Sequence, residues 1–232
     1  HARGSIVLSQ ASVLKRDFWQ LLEDHKVTDF SAVPFIFETI KRMRFSDTLL
    51  DNFVCMTQAG GRLDPKLTKH FFEICSANNI SYFTMYGQTE ACPRITYVPP
   101  DKAMSKLGSV GIPISCGKAC IAETKEKTGA GELLYEGDNV CLGYANSKED
   151  LCLGDELMGS LYTGDQVEID DDGFISIVGR RKRFIKVQGL SVNLDYVESI
   201  LRQYENDCAV VGSDNKIFVI HTQRNTNAIE GC

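Results

Sequence analysis

The sequence predicts an α/β protein, and three changes of texture along the chain carry that prediction. The first hundred residues alternate helix-period and strand-period segments, the pattern of a mostly parallel sheet covered by helices. After Pro99–Pro100 the helical period fades and short β-rich runs stand between glycines, which predicts an antiparallel or barrel-like module over 101–180. A basic run, an amphipathic stretch and two further strands then predict a small α+β segment over 181–232.

The elements follow in order. SVLKRDFWQLLEDHK (12–26) places Phe18, Leu21 and Leu22 at helical spacing with charges elsewhere. VTDFSAVP (27–34) is strand-like and ends at a proline, and FIFETIKRMRF (35–45) is helical again. NFVCMTQAGG (52–61) is a buried strand entering a glycine pair. In LDPKLTKHFFEICSANN (63–79), Asp64 suits the N-cap, Pro65 the first helical position, and Asn78–Asn79 the end. ISYFTMYG (80–87) is the next strand. KACIAE, GELLYEG and NVCLGY are β-rich, and QVEI-DDDG-FISIV is a hairpin around an Asp/Gly turn. DDDG lacks the later Glu of a calcium loop, so it is a turn. LDYVESILRQY is an amphipathic helix, DCAVVGSDNKIFVIHTQ gives two strands turning at SDN, and NAIEGC resembles the start of another helix.

A chain of 232 residues can bury a sizeable core. Its net charge of −6 argues against a general nucleic-acid or anionic-membrane binder. No apolar run approaches the ~20 residues of a membrane span. Nine cysteines, an odd count at scattered spacings without CxxC, read as free thiols in a reducing compartment, so the expected location is cytoplasmic. The four histidines form no constellation, and His70 reads as a surface helix residue.

The chemistry gathers at YGQTE (86–90). Gly87, just past a strand, lets a ligand approach the backbone. Tyr86 offers a face for stacking, Thr89 a hydroxyl for an anion, and Glu90 a hard oxygen for magnesium. Together they suit a nucleotide phosphate. AGG (59–61) ends a neighbouring strand, and ligands of open parallel sheets gather at strand carboxyl ends. YTGD places Asp165 after a turn, where a carboxylate can bind a ribose diol. GRRKRFIKVQG (179–189) supplies fixed cations and then a flexible glycine. Each has a plainer reading: Tyr86 as a core aromatic, Glu90 as a loop acid, Asp165 as a turn residue. Arg181 and Arg183 read as solvated surface charge.

YGQTE, GELLYEGDNVCLGY, YTGD and GRRKRFIKVQG, in this order, resemble the adenylate-forming enzyme superfamily of acyl-CoA synthetases, luciferases and carrier-loading adenylation domains. The resemblance covers about residues 5–220. It implies a partial large domain (1–180) and a truncated C-terminal domain (181–232) with a hinge near Lys182. It implies ATP, AMP and magnesium as cofactors, a carboxylic-acid substrate, and CoA or carrier-protein phosphopantetheine as acceptor. Tyr86 would stack on adenine, Gly60 and Gly61 would shape the adenine and acyl pocket, Thr89 would bind phosphate and Glu90 magnesium. Asp165, helped by Arg180, would hold the ribose. Lys186 and Gly189 would belong to the loop that comes forward for thioester formation.

Two family features have no counterpart: the Ser/Thr/Gly-rich loop ending in Lys that grips the β- and γ-phosphates, and the C-terminal catalytic lysine in a PxxxxGK-like stretch. The chain therefore reads as an internal fragment, expected to catalyse adenylation poorly alone. The alternative is a non-catalytic nucleotide-binding or scaffold remnant of the same fold, which the retained Thr89, Glu90, Asp165 and Lys186 oppose.

Overall fold

A computed structural model describes residues 4–43, 51–122, 130–180, 183–187, 190–204, 208–213 and 216–221. The chain forms two compact units. One comprises His1–Cys120, Leu134–Leu161 and Ile169–Ser176; the other comprises Ile121–Leu133, Tyr162–Glu168 and Ile177–Cys232.

The first unit is built on a five-stranded sheet, ordered β1-β2-β3-β4-β5. Strands β1 (Asp29–Ala32), β2 (Cys55–Gln58) and β3 (Ser81–Tyr86) are parallel neighbours. Parallel pairing requires a crossover between strands, and helices α2 (Pro34–Arg42) and α3 (Pro65–Ala77) supply it. Helix α1 (Arg16–Asp24) precedes them. Asp64 caps α3 by accepting a 2.7 Å hydrogen bond from the Lys66 N–H, and Pro65 opens the helix, both as the sequence predicts. Asn79 then leaves in the left-handed region at φ 58°.

The core of this layer is aromatic. Phe37, fully buried, meets Phe71 edge-to-face at 4.9 Å and Tyr82 at 6.1 Å. Trp19 of α1 is buried and donates its indole N–H to the Val13 carbonyl at 2.7 Å, the partner a buried indole requires.

The sheet is parallel only as far as β3. β4 (Thr96–Val98) and β5 (Ile112–Pro113) add antiparallel strands. The sequence offered no signal for them, because strands of three and two residues are too short to show alternation. β5 therefore belongs to the first sheet, and the β-rich module opens only at β6 (Gly117–Ile121). β6, β7 (Gly131–Gly137), β8 (Ser160–Ile169) and β9 (Ile175–Arg180) form an antiparallel sheet in that order. The hairpin predicted at DDDG is present. Asp170 Oδ1 accepts from the Asp172 and Phe174 N–H groups at 3.0 and 2.9 Å, and Gly173 takes φ 82°. Asp170 Oδ2 meets Lys106 Nζ at 2.8 Å, and that ammonium lies 4.7 Å from the Phe174 ring centre. NVCLGY, expected as a strand, is an irregular segment following β7.

In the second unit, β10 (Phe184–Val187) and β11 (Leu190–Asn193) pair antiparallel. Helix α4 (Leu194–Leu201) follows directly, capped by Asn193 Oδ1 on the Asp195 and Tyr196 N–H groups. β12 (Cys208–Ser213) and β13 (Lys216–His221) form a second antiparallel pair. The helix anticipated at NAIEGC lies outside the described residues.

Replacing Phe37 by alanine removes a ring with no exposure and two aromatic neighbours. Denaturant unfolding should show a loss of about 3–5 kcal/mol. A loss under about 1 kcal/mol, the range of a surface substitution, would contradict this packing.

Candidate functional site

Strands β2 and β3 are adjacent and parallel, with Gln58 level with Thr84, so their carboxyl ends open side by side. Beyond β2, the Ala59 N–H still reaches the Ala32 carbonyl at 3.1 Å, and Gly60 then takes φ 80°. That conformation suits glycine, and a Cβ there would sit 3.1 Å from the Val33 side chain. Beneath the loop, Gln58 is 1% exposed and donates Nε2 to the Gly61 carbonyl at 2.7 Å. A buried amide thus fixes the exposed Gly60–Gly61 turn. The sequence analysis missed Gln58. Its signal is a polar residue ending an apolar strand just before glycines.

Beyond β3, Tyr86 is half-buried against a cluster containing Ala91, Ile95 and Tyr135. Its hydroxyl accepts from Gln88 Nε2 at 3.3 Å. Gly87 has a structural reason to be glycine: a Cβ there would collide with the Pro93 carbonyl and lie 2.9 Å from Arg94 N. Close backbone packing fixes this residue before any ligand is considered. A 3₁₀ turn over Thr89–Ala91 follows, with Thr89 exposed and Glu90 half-buried. Cys92 then leaves in the left-handed region at φ 51°.

The irregular segment after β7 fastens this turn. Asn139 Nδ2 donates to the Ala91 carbonyl at 2.6 Å and the Arg94 carbonyl at 2.7 Å, while its Oδ1 accepts from the buried Tyr135 hydroxyl at 2.7 Å. The Cys141 N–H donates to the Glu90 carbonyl at 2.7 Å, and the Tyr144 hydroxyl donates to Glu90 Oε1 at 3.0 Å. The bond to Glu90, with a smaller contribution from burial, pushes the Tyr144 phenol above its ordinary value.

Among the described residues, no cluster of three or more His, Cys, Asp or Glu could hold a metal ion. Magnesium at a nucleotide needs less, since one carboxylate together with substrate phosphate oxygens suffices. Glu90 fits that requirement. One carboxylate oxygen is held by Tyr144, and no hydrogen bond or ion pair from the described residues reaches Oε2.

Asp165 and Arg180 meet in the second unit. Asp165 was expected after a turn, but it lies within β8 and is 2% exposed. The chain kinks rather than reverses there: Gly164 takes φ 73°, its N–H donates to Glu132 Oε1 at 3.0 Å, and Thr163 Oγ1 donates to the Leu133 carbonyl at 3.0 Å. Arg180 Nε lies 3.2 Å from Asp165 Oδ1 on a side chain 72% exposed. Lys186 lies in β10 opposite Ser191. Lys182, Gly189 and Arg181 lie outside the described residues.

Arg183 is not the solvated charge that the basic run suggests. It is 28% exposed, with Nε 2.7 Å from Asp195 Oδ1, Nη2 2.9 Å from Glu198 Oε2, and Nη1 donating to the Val210 carbonyl at 2.7 Å. Burial alone would raise the Glu198 carboxyl, but the Val210 N–H and the Arg183 and Arg202 guanidinium groups outweigh it, leaving it below its ordinary value.

The family model described as AMP-binding enzyme matches residues 1–145. The 2-succinylbenzoate-CoA ligase of Geobacillus sp. (strain WCH70) is 30% identical over 208 residues, covering 86% of this chain and 40% of that protein. That of Bacillus subtilis (strain 168) is 29% identical over 210 residues, covering 86% and 41%. The solved structure of o-succinylbenzoate CoA synthetase (MenE) from Bacillus subtilis, in complex with ATP and magnesium, superposes with a TM-score of 0.69 at 26% identity, covering 88% of this chain and 42% of that one. The N-terminal domain of FACL13 from Mycobacterium tuberculosis gives 0.54 at 26% identity, covering 69% and 41%. The chain thus spans about 40% of the length of the curated relatives it matches.

Gly87→Ala should destabilise the protein by about 1–3 kcal/mol, because the methyl group meets backbone that must move. Gly61→Ala should cost less, since its Cβ would lie 3.2 Å from a Pro34 side-chain carbon. Thermal unfolding of the two variants side by side checks the contrast, and equal losses would contradict it. A second expectation concerns pH. The Glu198 carboxyl is depressed in the folded state, so its contribution is present above the ordinary glutamate value of about 4.3 and is lost as pH falls through the folded one. Unfolding midpoints measured across that acid range should fall more steeply for the native protein than for Glu198→Gln.

Proposed function

The chain belongs to the AMP-binding enzyme family, and from that premise we propose that it is part of an ATP-dependent acid–thiol ligase. In the first half-reaction, a substrate carboxylate oxygen attacks the α-phosphorus of ATP, the bond to pyrophosphate breaks, and an acyl-adenylate forms. In the second, a thiol sulfur attacks the acyl carbon, its proton is released, and AMP leaves. The acceptor we favour is CoA, because the curated relatives are CoA ligases. The substrate class is a carboxylic acid, and the compartment is the reducing cytoplasm that the free cysteines suit.

The observation that carries this reading is the pair of strand ends. Two adjacent parallel strands finish in an exposed glycine turn and in an exposed Thr89 beside a half-buried Glu90. Ligands of open α/β sheets bind at such carboxyl ends. Tyr86 would stack on the adenine while Gly60 and Gly61 line its pocket, and Gly87 keeps the turn tight. Thr89 would donate to the α-phosphate. Glu90 would hold magnesium, which when bound offsets phosphate charge. Asp165 would accept from the ribose hydroxyls, with Arg180 orienting it. We further propose a large domain ending near 180, a hinge at Lys182, and a thioester loop containing Lys186 and Gly189. Such chemistry depends on positioning and charge stabilisation, and a hinge can exchange one set of groups for another.

Calorimetric titration with a non-hydrolysable acyl-adenylate analogue tests the reading. The native chain should bind it. Asp165→Asn keeps the shape but replaces a charged acceptor, and affinity should fall about tenfold or more, from the ~1.5–3 kcal/mol of a hydrogen bond to a charged group. No binding by a folded native chain, or equal binding by the variant, would overturn the assignment.

A further inference from the structure

The segment 139–144 has no role in the reading above, yet Asn139, Cys141 and Tyr144 all bond to the turn that carries Glu90. We infer that Tyr144 is a positioning residue for the Glu90 carboxylate, held in place by this segment acting as a strap. The inference rests on Glu90 being the carboxylate that holds magnesium.

A glutamate on a 3₁₀ turn has three rotatable bonds, and fixing it costs rotamer entropy. Nothing in its own turn fixes it. The Tyr144 hydroxyl does so from outside, donating to Oε1 at 3.0 Å and leaving Oε2 without a bond from the described residues. A carboxylate tethered by one oxygen presents the other in a defined direction, as a monodentate ligand must.

A tyrosine that is 59% exposed could not do this from a wandering loop. This loop does not wander. Asn139 uses both amide hydrogens on the carbonyls of Ala91 and Arg94 and its oxygen on Tyr135. Val140 enters the buried cluster that contains Ala91, Ile95 and Tyr135. The Cys141 N–H holds the carbonyl of Glu90 itself. The Leu142 carbonyl accepts from the Glu156 and Leu157 N–H groups at 2.7 and 3.2 Å. Four successive residues are anchored before the chain reaches Tyr144, so the phenol arrives at Glu90 with its backbone already ordered. An incidental surface pair would not need such support.

The test is manganese binding in the presence of ATP, followed by electron paramagnetic resonance on the native chain, Tyr144→Phe and Glu90→Gln. Tyr144→Phe removes one exposed oxygen and leaves the Asn139 and Cys141 fastenings untouched. It should weaken manganese about tenfold, the scale on which partners of metal ligands act. Affinity for the acyl-adenylate analogue without metal should stay unchanged, a separation that general loosening of the fold would not produce. Native manganese affinity in Tyr144→Phe, with Glu90→Gln losing it, would overturn the role of Tyr144 alone. Native affinity in Glu90→Gln as well would overturn the assignment of Glu90, and the inference with it.

Discussion

The candidate site depends on how the backbone carbonyls of one turn are held. Between β3 and β4 the chain reverses within residues 87–95, where the Gln88, Thr89 and Ala91 carbonyls accept from N–H groups of the turn itself, and Ala91 is wholly buried. An unpaired buried carbonyl costs roughly 1–3 kcal/mol. Asn139 adds a second donor at Ala91 and supplies one at Arg94, and its remaining oxygen takes the hydroxyl of fully buried Tyr135. Close contacts around this turn also account for the surrounding glycines. A Cβ on Gly117 would strike the Tyr135 ring, one on Gly137 would lie 2.7 Å from Asn139 Oδ1, and one on Gly87 would strike Pro93. Of the three, only Gly137 meets the Asn139 amide, while the Tyr135 ring constrains Gly117 and the Pro93 backbone constrains Gly87.

The same division of labour recurs at each strand end. Buried polar groups hold the backbone, and exposed neighbours are left for chemistry. Gln58 is buried beneath the exposed Gly60–Gly61, and half-buried Asn139 holds the Ala91 and Arg94 carbonyls that follow exposed Thr89. Such an arrangement lets ligand groups be pre-set without being covered, because the residues that keep the geometry are not those that meet the ligand. Asp165 departs from it. As a carboxylate at 2% exposure it must be compensated, and Arg180, largely in solvent, provides the ion pair.

Much of this was legible beforehand where the signal was local. The cap of α3 needs only Asp64 and Pro65, and the β8–β9 hairpin only its Asp/Gly turn. What failed depended on partners distant in sequence. NVCLGY has strand-like composition, but its hydrogen bonds go to the turn over 88–94, to Gly137 and to Glu156–Leu157 rather than to a ladder. Arg183 sits in a run of cations that reads as solvated, and its acceptors lie twelve to twenty-seven residues away. Asp165 follows a Thr-Gly pair that usually marks a turn, yet Gly164 kinks a continuous strand because Glu132 is placed to take its N–H. Gln58 was passed over because its partner is a carbonyl, which no side-chain motif records.

The start of α4 bears on the proposed hinge. Asn193 Nδ2 donates to the Val178 carbonyl at 2.8 Å, and the Arg180 N–H donates to Asp195 Oδ2 at 3.2 Å. Gly179, between them, approaches Asn193 so closely that a Cβ would lie 2.6 Å from Nδ2. Residues 178–180 are thus gripped by the helix that follows Lys182 in the chain. Rotation about Lys182 has two routes. Either α4 carries 178–180 with it, which would move Arg180 relative to Asp165, or the two hydrogen bonds break, at about 0.5–1.5 kcal/mol each. The second route is within the differential binding of an ordinary ligand and leaves the Arg180–Asp165 pair intact. The first would draw Arg180 away from Asp165, a carboxylate at 2% exposure. A hinge at Lys182, as proposed, would therefore keep the Arg180–Asp165 pair only if it opened by releasing Asn193 and Asp195.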